Sequence, residues 1–561
     1  MITPSAQLRR RDRVRTIAAA GVAVLGVVGI VSAISPPLRS RLQLLLELVP
    51  FHIARIAATS LVLVSFALLL MARGLRRGQR LAWGGTLILL ALSAFLNLTK
   101  GLDLEEAVLA GVAGGWLATQ RHSFPVLPTR SAVRSAVVVG VGGAVGSVLV
   151  GTVLTMALGR SHHPRVGESV RAVAGRLGGT SVLPLPGAGR FVTPMLVASG
   201  LGLVCTFLWV LLSPRVGRHL SGAAHEVERE RARALIARHG SGTLDYFALR
   251  DDKDWFFAAH SVVAHSVRRG VCLVSPDPIG PADERIEVWD DFLRYAEGHG
   301  WSIAVVAAAE DWLPVYEASG LRSVYLGDEA IVDCREFSLE GHPRKSLRQA
   351  SGRVRRAGFT AAFLDIAGLD DATRASLEQI ATANRRGDAE RGFSMTLSRM
   401  FDPADSELML TVVRDREGVP QAFIQWAPAP GLQGWSLDVM RSNRDEQLPN
   451  GLTDFAIIET IRHVAESGGR ALSLNFAVLR EVVAGDRQSP AARASRAAIQ
   501  RISGHAQVES LWRFNAKYDP TWFPRYLMLD SVEFVAAQGF VVADAEGATD
   551  IPVLGRFFGR S

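Results

Sequence analysis

Six apolar stretches in the first 213 residues decide most of what this chain can become. They lie near Thr16–Ile34, Ile53–Ala72, Ala82–Leu98, Ala107–Ala118, Ala136–Leu158 and Pro194–Leu212. Most approach the roughly 20 residues that an α-helix needs to cross a bilayer core. A helix is also the simplest structure that satisfies its own backbone there. Ala107–Ala118 is short and glycine-rich, which suits an interfacial helix or a tilted span. The expectation is about six spans. With 48% hydrophobic residues over the 561-residue chain, an ordinary soluble protein is excluded.

Arginine placement predicts orientation. Arg9, Arg10, Arg11, Arg13 and Arg15 precede the first stretch, Arg73, Arg76, Arg77 and Arg80 follow the second, and Arg121, Arg130 and Arg134 follow the fourth. By the positive-inside rule these segments are cytoplasmic, and an even number of spans returns the C-terminal half to that side. The loop Arg160–Arg190 is also basic and weakens the contrast. No small-x-small cleavage site follows Ile34, so the first stretch reads as an anchor rather than a cleaved signal. The net charge of +8 partly reflects these loops and says little about nucleic acid by itself. Cys205, Cys272 and Cys334 are isolated, which points to buried small hydrophobes rather than disulfides or a metal site.

After Arg215 the pattern changes to alternating helices and strands. His225–His239 reads as a charged linker helix. Strand spacing marks Tyr246–Leu249, Trp255–Ala258, Ser261–Ser266, Val271–Val274, Ser302–Ala307, Leu321–Leu326 and Glu329–Asp333, with helices at Ile286–His299 and Leu313–Ser319. A second round runs helix Arg344–Ala357, strand Thr360–Leu364, helix Asp371–Asn384, strands Met409–Arg414, Ala422–Trp426 and Trp435–Met440, helix Leu452–Ser467 and strand Ala471–Asn475. The expected division is a membrane domain over residues 1–214, a linker helix over 215–240, α/β units over 241–340 and 341–535, and a tail over 536–561.

Several charged groups in this half are poor core candidates. On helix Arg344–Ala357, Arg344, Arg348 and Arg355 fall on one face beside Lys345 and Arg356, while Leu347, Ala350, Val354 and Ala357 lie opposite. The basic face carries no acid, and either solvent or a polyphosphate partner would suit it. In a regular strand Asp438 shares a face with Ser436 and Met440, and Arg441 with Leu437 and Val439. Bringing this charge pair together would need a bulge or a strand end. The run from Trp512 to Tyr526 sets Arg513, Lys517 and Arg525 among Trp512, Phe514, Trp522 and Tyr526. Such a run can stack an unpaired base, line a lipid cleft, or form an aromatic core with snorkelling cations. Glu390, in Glu390-Arg391-Gly392-Phe393, is the best-placed general base or amino-group acceptor, with helix capping or solvation as the plain alternative. Asn450-Gly451 precedes a helix, where it can cap or present N–H groups to an anion.

Taken together, Trp435-Ser-Leu-Asp438-Val-Met-Arg441, Pro449-Asn450-Gly451, Ser338-Leu-Glu340-Gly341-His-Pro-Arg344-Lys345-Ser-Leu-Arg348, Glu390-Arg391-Gly392-Phe393-Ser394, Leu474-Asn475-Phe476-Ala477 and Ser510-Leu-Trp512-Arg513-Phe514-Asn515-Ala-Lys517-Tyr518 resemble the phosphatidylglycerol lysyltransferase family. The resemblance runs in the family's order from about Tyr246 to Leu529. It is strongest to actinobacterial members that carry a fused lysyl-tRNA synthetase; because the chain ends soon after Leu529, that synthetase is not expected here. The resemblance implies a membrane α-helical half joined to a cytosolic α/β domain of tandem GNAT-like acyltransferase units. It implies transfer of an amino acid, lysine preferred, from aminoacyl-tRNA to the headgroup hydroxyl of phosphatidylglycerol, in the cell membrane. It further implies that Asp438 holds the α-ammonium, that Arg441 meets a phosphate or the ester oxygen, and that Lys517 and Arg525 contact substrate or transition state. Arg344, Lys345 and Arg348 would meet tRNA, and Asn450, Arg513, Trp522 and Tyr526 complete the expected binding set. A homo-oligomer is compatible with this layout.

The donor ester is already activated, so neither ATP, metal nor another cofactor is required, and catalysis reduces to positioning, proton removal and oxyanion stabilisation. No Ser-His-Asp order, G-x-S-x-G or Walker loop is present, which favours direct transfer. The alternatives are an alanyl or other aminoacyl donor, a diacylglycerol acceptor, an acetyl-CoA-dependent N-acyltransferase, and a lipid transporter or sensor. Asn384-Arg-Arg-Gly387-Asp-Ala389 is a poor match to a CoA pyrophosphate loop. For a lysyl side chain the candidate second carboxylates are Asp388, Asp454 and Glu459.

Overall fold

The computed structural model describes residues 4–34, 51–101, 103–128, 130–158, 165–177, 189–213, 219–342, 344–383, 392–443, 445–478, 512–530 and 535–546. The chain forms two compact units, one of Met1–Val216 with Tyr295–Ser302 and one of Gly217–Arg294 with Ile303–Ser561.

The first unit is helical: α1 (Pro4–Ile34), α2 (Phe51–Arg76), α3 (Arg80–Gly101), α4 (Leu104–Thr119), α5 (Arg130–Leu158), α6 (Val166–Leu177) and α7 (Gly189–Leu211). Among the described residues, four segments are long and apolar enough to cross a membrane: Arg9–Ser32, Arg80–Thr99, Ala132–Leu158 and Val192–Leu211. Val137, Val138, Val141, Val145 and Leu149 of α5 are all exposed, an arrangement that lipid tolerates and water does not. Close packing of α5 on α7 depends on small residues: a Cβ at Gly143 would lie 2.2 Å from Leu203 Cδ2. The basic segment expected as a loop between the last two spans contains helix α6, whose Ala172 and Val173 are buried. Its apolar residues recur at helical spacing, a signal that the arginines obscured.

The second unit is built on an 11-stranded sheet. In chain order come α8 (Ala223–His239), a 3-10 turn at Asp245–Leu249, β1 (Asp254–Ala258), β2 (Ser261–Arg268), β3 (Val271–Val274), α9 (Arg285–His299), β4 (Ser302–Ala309), α10 (Leu313–Ser319), β5 (Arg322–Asp333), α11 (Lys345–Arg356), β6 (Thr360–Asp365), α12 (Asp371–Ala383), β7 (Met409–Arg414), β8 (Pro420–Ala429), β9 (Gly434–Ser442), α13 (Leu452–Glu466), β10 (Ala471–Val478), β11 (Thr521–Leu529) and α14 (Val535–Ala545). The strand order is β1-β2-β3-β4-β11-β5-β10-β9-β8-β7-β6. β9 and β10 pair in parallel, and α13 is the crossover helix such a connection requires.

Each side of the sheet has its own core. On the α8 side, Tyr246, Phe247 and Leu249 pack with Leu377, Leu397, Phe401, Phe423 and Val439. On the α13 side, Leu347 and Val354 of α11 join Phe455, Ile458, Trp426, Leu472 and Tyr518. The expected strand Tyr246–Leu249 is the 3-10 turn: all its residues are buried, so its apolar run has no exposed face to alternate with. Leu321–Leu326 and Glu329–Asp333, expected as two strands, form the single strand β5. β11, which contains Pro524, was not among the expected strands. It accommodates that proline next to an irregularity, with register shifts at Arg525/Tyr526 and Tyr526/Met528.

Candidate active site

β9 carries the first residues of the site. Leu437 pairs with Trp426 and Val439 with Gln425, leaving Asp438 as the extra residue of a bulge. The bulge turns Asp438 and Val439 to the same side of the sheet, and Arg441, opposite Phe423, falls on that side too. The irregularity required to bring this pair to one face is therefore present. Asp438 is buried, and its carboxylate accepts the Leu397 N–H at 2.9 Å and the Gln425 amide at 2.7 Å. Gln425 in turn accepts the Phe401 N–H. Arg441 is half-buried and donates to the Met440 carbonyl.

Beside β9, the parallel pairing with β10 stops after two residue pairs, Leu472–Trp435 and Ser473–Ser436. Asn475, at φ 67°, breaks the β10 register. That left-handed conformation is one asparagine tolerates. Its Nδ2 donates to the carbonyls of Met395 and Leu437, fixing the strap of residues 392–397 onto the sheet. Arg250 reinforces the strap by donating to the carbonyls of Gly392 and Thr396. Among the described residues, the buried Ser436 Oγ and Asn475 Oδ1 have no hydrogen-bond partner.

The polar seam continues into β5 and β11. Ser473 Oγ donates to Glu329 Oε1 at 2.5 Å, and Arg525 donates through Nε and Nη2 to Glu329 Oε2 and through Nη2 to Thr243. Burial pushes the Glu329 carboxyl up, but Arg525, Ser473 and Thr243 outweigh it and hold the group below its ordinary range. A cavity of about 530 Å³ opens here, lined in part by Asp245, Asp277, Arg285, Trp312, Glu329 and Arg525. Asp277 accepts from Tyr316 Oη and the Ala309 N–H, and burial raises its carboxyl to about 6. Nearby, Lys253 is fully buried, donates to the Phe247 carbonyl and lies 4.6 Å from the Phe393 ring centroid; burial lowers its ammonium to about 7.

Several of the other expected residues lie on the α13 side. Lys517 pairs with Asp454 at 3.2 Å, and Tyr518 Oη donates to the same carboxylate. Trp522 packs into that core, while Tyr526 sets its ring edge-on to Tyr325. The structure thus brings Asp438, Arg441 and Arg525 to one side of the sheet and Lys517 to the other. Arg513 is exposed. On α11 the expected apolar face is buried and the cations are outside, but acids reach them from other elements. Arg344 meets Asp519 and the Ser338 carbonyl, Arg355 meets Glu459, and Arg348 donates to the carbonyls of Leu339 and Gly341. Lys345 is exposed. Asp454 and Glu459, expected as second carboxylates for a lysyl donor, are thus engaged with cations of this chain, and Asp388 lies outside the described residues. Asn450 does not cap α13: the cap is Gly451, and the Asn450 carbonyl accepts from Arg353. Gly451 has φ 104°, and a Cβ there would lie 2.8 Å from that of Ala350, so the turn serves close packing of α11 on α13. Glu390 lies outside the described residues.

Glu329, Gln425, Asn475 and Asp277 were not expected in the site. Only Glu329 left a trace, an acid heading the apolar run Ala330–Val332, where burial demands a cation. Cys272 and Cys334 are buried and burial raises both thiols, Cys334 to about 12, so neither is a ready nucleophile.

A set of apolar helices long enough to cross a bilayer, followed by an α/β domain with buried charge on one side of its sheet, is the architecture of a membrane protein. Residues 233–529 match the family described as phosphatidylglycerol lysyltransferase, C-terminal, and residues 10–205 match the transmembrane region of lysyl-tRNA synthetase. The chain belongs to the phosphatidylglycerol lysyltransferase family. It is 32% identical over 577 aligned residues to the lysylphosphatidylglycerol biosynthesis bifunctional protein LysX of Mycobacterium ulcerans, covering 98% of this chain and 51% of that one. It is 30% identical over 558 residues to the LysX of Mycobacterium tuberculosis H37Rv, covering 95% of this chain and 47% of that one. The chain therefore spans about half the length of these relatives. The structure of L-PGS from Bacillus licheniformis aligns with a TM-score of 0.50 at 24% identity, over 57% of this chain and 96% of that one, and so shares its fold.

Proposed function

We propose that this protein transfers an amino acid, lysine preferred, from aminoacyl-tRNA to the headgroup hydroxyl of phosphatidylglycerol. The observation that carries this reading is the buried seam of Asp438, Ser436 and Asn475. Asp438 supplies a buried carboxylate, and two unpartnered buried oxygens, Ser436 Oγ and Asn475 Oδ1, lie along the same strands. Such a set suits an ammonium group taken out of water. Family membership supplies the reaction class.

In this reading Asp438 holds the α-ammonium and Arg441 the ester oxygen or a phosphate. Arg525, fixed by Glu329, offers positive charge where the acyl oxygen becomes negative. Lys517 and the basic face of α11, with Arg344, Lys345 and Arg348, meet the tRNA backbone; Arg513, Asn450, Trp522 and Tyr526 complete the binding set, and Glu390 is the candidate base. The two successive α/β units are GNAT-like, the N-terminal half makes about six spans, and the catalytic domain faces the cytoplasm.

Membranes containing the protein should move radiolabelled lysine from charged tRNA into chloroform-soluble lipid without ATP. If free lysine with ATP serves equally after the tRNA is digested, the donor assignment fails. Supplying alanyl-tRNA in the same assay decides the amino acid.

A further inference from the structure

We propose that His219, His225 and Asp254 form a binding site for a divalent transition metal, with zinc the ion whose preferred donors they match. One ligand atom from each of these side chains lies within 4.8 Å of the other two. Two imidazoles and a carboxylate facing one point are a common set for a tetrahedral zinc ion, with water in the fourth position. The trio involves none of the cysteines and none of the residues assigned above to the acyl-transfer site.

The surroundings select a ligating state of His225. Its Nε2 lies 2.9 Å from the Lys253 carbonyl oxygen, and a carbonyl can only accept. Nε2 must therefore carry the proton, which leaves the lone pair of the neutral ring on Nδ1. A backbone carbonyl fixing the tautomer of a ligating imidazole is the usual outer-shell arrangement of metal sites. The ring is 5% exposed and packs 4.8 Å from Trp255, so its direction is fixed. Asp254 is oriented as well, since Oδ1 accepts the Leu220 N–H at 3.0 Å. His219 is the adjustable member: its side chain is 53% exposed, and Nδ1 stands 3.2 Å from the Asp254 carboxylate. Bonds of about 2.0–2.2 Å to one ion would set neighbouring ligand atoms about 3.3 Å apart. An exposed imidazole can close that gap by turning. An ion pair with Asp254 accounts for His219 alone, whereas a shared metal also accounts for the convergence of His225.

The site would staple the segment leading into α8 to the first residue of β1, 35 positions on. Asp254 directly follows Lys253, whose ammonium lies against Phe393 of the active-site strap. An ion held here would therefore fix the residue next to the lysine that lies against the strap.

The test uses the full chain in detergent, purified without a polyhistidine tag. After equilibration with zinc chloride and removal of free ion, elemental analysis should find one zinc per chain. Cobalt chloride should give the visible absorption of a tetrahedral site, displaced by zinc. His219→Ala leaves the buried core untouched and Asp254→Asn keeps side-chain size. Each should weaken zinc binding by at least the roughly 10–100-fold that loss of an outer-shell partner costs. Circular dichroism and the melting temperature in chelator should stay as in the unaltered chain. Absence of bound zinc and of a cobalt spectrum overturns the proposal, as does zinc binding that both variants leave unchanged.

Discussion

The two sides of the central sheet use charge in opposite ways. On the α8 side, Asp438, Glu329 and Arg525 are all buried and each is held by at least two described hydrogen bonds. On the α13 side, Lys345, Arg348, Arg353, Arg355 and Arg356 of α11 are exposed, and the Lys517–Asp454 pair is partly wet, at 36% and 15% side-chain exposure. Charges of the first kind are fixed in place and cannot be removed without cost, so they suit reacting atoms. Those of the second kind contribute little to folding and act over a distance, so they suit a long polyanion.

The comparison breaks most visibly at Glu329. Glu329→Ala leaves the Arg525 guanidinium buried without its partner, and loss of one member of a buried pair costs about 3–5 kcal/mol. Chemical denaturation followed by tryptophan fluorescence should show a loss of that size, and a loss below about 1 kcal/mol would put the pair in the class of the outer side. A pH effect is expected at Asp277. Burial holds its folded pKa at about 6, above the ordinary 3.8, so the folded chain binds this proton more tightly. Its contribution to stability is fully present below about pH 4 and is lost as pH rises to about 6, by about 3 kcal/mol. Asp277→Asn should remove that slope from a stability–pH series.

Next in size is Asp438→Asn. The replacement keeps one acceptor oxygen but turns an NH₂ toward Leu397 N–H or the Gln425 amide. Gln425 cannot flip freely, since its own oxygen accepts from Phe401. The expected loss is about 1–3 kcal/mol of stability. Transfer from charged tRNA, measured per folded molecule, should fall by about ten- to a thousand-fold, as expected for a lost charge-assisted contact. Stability lost with transfer intact would make Asp438 a clamp for the strap rather than a substrate contact.

Much of this contrast was legible in the chain itself. The basic stripe of α11 and its apolar seam follow from helical spacing, and the need for a bulge at Asp438–Arg441 follows from strand alternation. What stayed hidden were partners set by non-local pairing. Glu329 and Arg525 are separated by 196 residues and meet only because β11 inserts between β4 and β5. The acids that meet Arg344 and Arg355 come from Asp519 and Glu459, so a helix face without acids in its own sequence is not a face without acids nearby. The bulge itself could be required from sequence but not located, because its position depends on the register of β8.

A smaller effect is expected at Lys517→Ala. Its ion pair is partly solvated, so removal should cost about 0.2–1 kcal/mol of stability. Should the loss reach the size expected for Glu329→Ala, the distinction between the two sides would fail at this position.

The smallest change in folding is expected from replacing Arg344, Lys345 and Arg348 together by alanine. Their partners are an exposed carboxylate and backbone carbonyls at the surface, so stability should move by less than about 1 kcal/mol. Binding is where the exposed side should reveal itself. Each cation that neutralises a phosphate releases counterions and contributes about 0.7–0.9 to the slope of log affinity against log salt. If all three meet tRNA, the slope for charged tRNA, measured by fluorescence anisotropy across a salt series, should fall by about 2 to 3. Affinity would then be lost mainly at low salt and much less at high salt, where the electrostatic term is already weak. A uniform loss at every salt concentration would mean that these residues shape a contact rather than supply charge. An unchanged slope would return the stripe to a solvated face, leaving the tRNA to be bound elsewhere on the domain.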